Sequence, residues 1–142
     1  MARADQTEIR IRIVIENPVP HVLHSLQEDD RPLDPKRSEA GEPLAFEFPL
    51  RIGPGPKFFG KQVRSEGPVR RFVYIRVGQS AGDRTSPWSR RMKIDVHDVD
   101  PPLLDRAMAG EGLVELTIDG TGKDGTPACA TVRPRTRRIV PA

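Results

Sequence analysis

Cysteine is almost missing from this chain: Cys129 is the only one in 142 residues. That excludes a disulfide within the chain and any thiolate cluster for zinc or iron–sulfur. It suits a reducing cytosol. Aromatic residues are also few, at 5% of the sequence, and the apolar share is only 36%. No apolar run approaches the roughly 20 residues of a membrane span. The opening residues 1–7 are polar and lack the apolar centre of a signal peptide. The expectation is a soluble, cytoplasmic protein with no membrane partner.

Proline and glycine, by contrast, are plentiful, with 15 and 12 copies. Composition of this kind borders on disorder. The apolar residues nevertheless fall into alternating runs, which argues for a folded domain with long loops. Charge is segregated. Residues 61–93 carry nine bases against two acids, and residues 133–142 carry four arginines. Residues 16–47 and 94–132 are each acidic, with eight acids apiece.

Ile9, Ile11, Ile13 and Ile15 alternate with Arg10, Arg12, Val14 and Glu16. A period of two built from β-branched residues predicts a strand with one face in the core. Asn17-Pro18-Val19-Pro20 ends it. Residues 22–27 are mixed in pattern and suit a second strand or a helical turn. Residues 28–43 are acidic and proline-rich and read as a loop. Leu44, Phe46, Phe48, Leu50 and Ile52 alternate again. Pro49 falls outward, which predicts an edge strand or a bulge. Val73, Ile75 and Val77 oppose Phe72, Tyr74 and Arg76, so this strand has apolar mass on both faces and reads as central. Met92, Ile94 and Val96 mark a fourth strand.

Asp100-Pro101-Pro102 predicts a helix start, with Leu103, Leu104, Ala107 and Met108 as its apolar stripe and Gly110 or Gly112 as its stop. Val114, Leu116 and Ile118 predict a fifth strand. Asp124-Gly125 predicts a hairpin turn, with residues 128–132 returning. The expected fold is mainly β (α+β): a largely antiparallel sheet of five to six strands, or a small barrel, with one short helix. The expected organisation is one domain over 1–142, with a folded core at about 7–132 and a basic tail at 133–142.

Several motifs occur together in order. They are Pro18-Val19-Pro20 followed by Leu26-Gln27, then Phe48-Pro49-Leu50-Arg51 and Phe72-Val73-Tyr74. Next comes Pro87-Trp88 with Arg90, Arg91 and Lys93. The last runs from Gly120 through Asp124-Gly125 and Pro127-Ala128-Cys129-Ala130 to Val132. In these motifs the chain resembles a family of small bacterial proteins catalogued as a domain of unknown function. The resemblance implies a bacterial, stand-alone domain and carries no assigned catalytic residues.

Candidate chemistry centres on Arg71, Tyr74, Trp88, Arg90, Arg91 and Lys93. If the third and fourth strands pair, their outward bases form a positive face able to hold an anion, with Trp88 or Tyr74 as an aromatic wall. The plainer alternative is a solvated sheet face neutralised by the acidic loops. His21 and His24 have His-x-x-His spacing but no further metal ligand, so no metal site and no cofactor are expected. His97 and Asp98 adjoin, but neighbours on a strand point to opposite faces. Cys129, between alanines, reads as a small buried hydrophobe. Residues 120–125 read as a turn rather than a phosphate loop.

The function these residues favour is a binding module for an anionic small molecule or a protein partner, with loops 53–69 and 78–88 around the site. A nucleic-acid-binding protein using 61–93 and the tail is the alternative, opposed by the acidic stretches and the missing RNA-recognition signature. An enzyme ranks third, because no nucleophile elbow, metal cluster or dinucleotide fingerprint is present.

Overall fold

The computed structural model describes residues 8–28, 31–51, 57–58, 61–62, 72–80, 85–86, 89–96 and 99–141. The isoleucine alternation becomes β1 (Glu8–Glu16), with Ile9, Ile11, Ile13 and Ile15 all buried. Then follow β2 (Leu23–Glu28), β3 (Arg31–Arg37), β4 (Leu44–Arg51), β5 (Lys57–Phe58) and β6 (Lys61–Gln62). The basic centre supplies β7 (Phe72–Gly78) and β8 (Arg90–Asp95). Helix α1 (Pro101–Met108) precedes β9 (Leu113–Asp119), β10 (Ala130–Val132) and β11 (Thr136–Val140).

The strands form two mixed sheets plus the small β5–β6 hairpin. One sheet has the order β11-β9-β1-β4 and the other β10-β8-β7-β2-β3. Inward residues of both belong to a single hydrophobic cluster, so the sheets pack face to face. Ile11, Ile13, Phe46 and Leu116 come from one sheet; Ile75, Met92 and Ile94 come from the other, each at most 1% exposed. The fold is mainly β with one short helix, as expected. It is an open pair of sheets and not a closed barrel, because β11, β4, β10 and β3 all remain edges. Most pairs are antiparallel, but β1–β9 and β8–β10 are parallel.

Individual expectations fare differently. Strand β4 is indeed an edge, with Pro49 exposed, and β7 is the middle strand of its sheet. Residues 31–37, within the segment read as a loop, are instead edge strand β3, where Pro32 and Pro35 cost least. Residues 128–132 do not return beside β9. The turn closes with one bridge, Thr121 to Pro127, and the chain then crosses to β8 in the other sheet. Within the stretch set apart as a tail, Thr136–Val140 pairs with β9.

Helix α1 starts with two prolines after Asp100, whose side chain makes no capping bond. It ends at Gly110, with φ of 85° and its N–H donating to the Ala107 carbonyl at 3.0 Å. Leu104 and Ala107 are buried, and the helix contacts β1, β9 and β11. Standing in the chain between β8 of one sheet and β9 of the other, it makes the crossing and packs on the sheet that it enters. Among the described residues, no helix is long and apolar enough to cross a membrane.

Candidate functional site

Antiparallel pairing of β7 with β8 sets Tyr74 opposite Lys93 and Arg76 opposite Arg91. Val73, Ile75 and Val77 point into the core with Met92 and Ile94. Phe72, Tyr74 and Arg76 must then share the outward face with Arg91 and Lys93. Aromatic and basic side chains meet there diagonally. The Arg91 guanidinium sits 4.7 Å from the centre of the Tyr74 ring. The Lys93 ammonium sits 4.0 Å from the centre of the Phe72 ring. Both lie within cation–π range, which holds the cations in place without neutralising them. Beyond Lys93 lies Thr131 on β10, and beyond Tyr74 lies Gln27 on β2.

The opposite sheet treats its arginines differently. Glu47, Arg12, Glu115 and Arg138 stand opposite one another in a single row across β4, β1, β9 and β11. Arg12 lies 3.7 Å from Glu47 and 3.4 Å from Glu115. Arg138 lies 2.7 Å from Glu115, and Arg10 reaches Glu47 at 3.9 Å. Every base of that row has a carboxylate. Among the described residues, Arg91 and Lys93 contact rings, and neither forms an ion pair.

A model described as a family of unknown function (DUF5990) matches residues 9–140. The chain belongs to this family. No curated protein and no solved structure matches it.

The residues singled out from sequence do not all converge. Tyr74, Arg91 and Lys93 share one face. Arg90 stands opposite Val77, so its parity differs from that of Arg91. It donates to the Ser89 carbonyl at 2.9 Å and lines a cavity beside β10 instead. Arg71 and Trp88 lie outside the described residues, as do His97, Asp98 and most of loops 53–69 and 78–88. Phe72 and Arg76 complete the face. Their alternation with Tyr74 was the available signal, but their partners depend on the β7–β8 register.

His21 and His24 are not brought together. His21 is exposed in a turn with φ of 65°, while His24 is fully buried on β2. Neither ring nitrogen of His24 closes a hydrogen bond of normal geometry, although the Val22 backbone lies close enough to favour the charged ring slightly. Burial dominates and pushes its pKa down to about 4. Among the described residues, no group of three His, Cys, Asp or Glu side chains is placed to hold a metal ion. Cys129 is exposed, contrary to the buried role expected of it, because the crossover to β10 runs along the surface.

Proposed function

We propose that this chain is a binding module whose outer β7–β8 face docks an acidic segment of a protein partner. One observation carries this reading: Arg91 and Lys93 are braced on Tyr74 and Phe72 without ion pairs, while the row on the other sheet is charge-matched. A flat sheet face suits an extended partner better than a small molecule, whose sites are concave.

The nucleic-acid alternative has less support. Its stacking platform requires open ring faces, and cations cover Tyr74 and Phe72. Two arginines of the basic C-terminal stretch are also engaged, Arg138 with Glu115 and Arg135 with Glu16 at 3.8 Å. A bacterial cytoplasm is the setting we propose, in keeping with a lone unpaired cysteine.

A thermal-shift panel at low salt tests this reading. It compares a short oligoglutamate peptide, single-stranded and duplex oligonucleotides, and organic anions. A ligand at a hundred times its Kd adds about 2.7 kcal/mol, which moves the midpoint of a domain this size by several degrees. The expected result is a shift with the acidic peptide. A shift with oligonucleotides alone would reverse the choice of partner.

A further inference from the structure

The turn between β9 and β10 is rigidly built. The Asp119 carboxylate accepts from the Thr121 N–H at 3.1 Å, and the Gly122 N–H donates to the Thr126 carbonyl at 2.7 Å. The Asp124 carboxylate accepts from the Thr126 hydroxyl at 2.5 Å and from its N–H at 3.1 Å. Those two bonds hold the Asp124 carboxyl below its ordinary pKa. Gly125, with φ of 80°, completes the reversal. The chain then passes Pro127 and Ala128, exposes Cys129 and joins β8 as β10.

Between this turn and β10 lies a wide-mouthed, open cavity of about 630 Å³. That volume falls within the range of small-molecule sites. Pro127, Ala128 and Val132 give it an apolar lining, with Pro127 buried and the other two half-buried. Arg90, Lys123 and Arg133 supply three cations. Asp124 is the acid among the lining residues, and one of its oxygens already serves the turn. Among the described residues, Lys123 and Arg133 form no ion pair. An apolar surface edged by cations complements a molecule with a hydrocarbon body and an oxyanion head.

We infer that this cavity is a second site, which binds a small organic anion. The apolar body rests on Pro127, Ala128 and Val132. The carboxylate or phosphate head is held by Arg90, Lys123 and Arg133. The site is independent of the β7–β8 face, because Tyr74, Arg91 and Lys93 do not line it.

Cys129, the only cysteine and a lining residue, is a built-in reporter. In the full chain its thiolate attacks one sulfur of an aromatic disulfide reagent. A mixed disulfide forms, the reagent's S–S bond breaks, an arylthiolate leaves and the thiol proton passes to solvent. Labelling is followed with a reagent carrying carboxylates and with a neutral one. The expected result is that the ratio of the two rates drops about tenfold in Lys123→Ala/Arg133→Ala, through loss of local attraction.

Phenyl phosphate and benzoate are then added as competitors. Saturable protection by either supports the site and names its head group; protection by both assigns the shared chemistry. Inorganic phosphate, having no apolar body, protects less. An unchanged rate ratio, or no protection by either aromatic anion, overturns the proposal. Arg91→Ala/Lys93→Ala leaves protection by the aromatic anions unchanged, so failure of the sheet-face reading and failure of this one are distinguishable.

Discussion

Arg138 closes on Glu115 with two donors to one oxygen: Nη2 at 2.7 Å and Nε at 2.9 Å from Oε1. Glu115 is only 7% exposed, and Arg12 approaches its other oxygen at 3.4 Å. A carboxylate on the outward face of β9 is thus covered by the arginines it attracts. Their stems screen it while the charges pair.

Removing that carboxylate leaves Arg138 without an ion pair and Arg12 with Glu47 alone. Glu115→Gln is expected to cost about 1–3 kcal/mol, in the range of a charge-assisted hydrogen bond whose partners are partly exposed. Arg138→Ala should cost less, because its own side chain is two-thirds open to water, at 66%. The check is a urea unfolding midpoint with an unchanged slope. Equal midpoints for Glu115→Gln and the parent chain would remove the row from the account of stability.

His24 makes stability depend on pH. Its ring takes a proton near 6.5 when unfolded and near 4 when folded. Above the unfolded value both states are neutral, and the folded state keeps its full advantage. As pH falls from 6.5 towards 4, only the unfolded chain gains the proton, so stability declines; below the folded value the decline ends. The span corresponds to a loss on the order of 3 kcal/mol. Urea midpoints at pH 7 and pH 4.5, compared between the parent chain and His24→Leu, isolate this effect. The variant should show a flatter dependence, and an identical slope would contradict it.

Gly112 permits the end of β11 to lie close. A Cβ built there would stand 2.2 Å from the Val140 carbonyl oxygen and 3.0 Å from its carbon, both backbone atoms. Gly112→Ala must therefore push β11 away from β9. The expected cost is about 1–3 kcal/mol, as for overpacking. Faster amide hydrogen exchange across Thr136–Val140 should accompany it. Unchanged exchange would show that β11 shifts without detaching.

Much of the core was legible because apolar residues alternate there. The inward residues of β1, β4, β7 and β9 were all readable from a period of two, and Pro49 marked its strand as an edge or a bulge. Strands β3 and β11 were not, because Arg31–Arg37 and Thr136–Val140 are rich in charge or proline and lack an apolar alternation. Their pairing depends on neighbours far along the chain, such as Glu115 for Arg138. The parallel partner of β1 was equally hidden, since 103 residues separate Arg12 from Glu115. The turn at Asp124-Gly125 was readable, but not the crossover that follows. For the face, the outward positions of Tyr74, Arg91 and Lys93 were legible. The diagonal meeting of Arg91 with Tyr74 needed the register.

Whether Arg91 and Lys93 hold an acidic partner is decided by calorimetric titration with an oligoglutamate peptide. The parent chain and Arg91→Ala/Lys93→Ala are titrated at low and at physiological salt, with melting points measured alongside. Both side chains lie on the solvent side of β8, so the variant should melt within a few degrees of the parent. The expected result is salt-sensitive binding that weakens about a hundredfold in the variant, roughly tenfold for each cation removed from a charge-assisted hydrogen bond to the peptide. Equal affinity in the two proteins, or no binding by the parent chain at low salt, would contradict it.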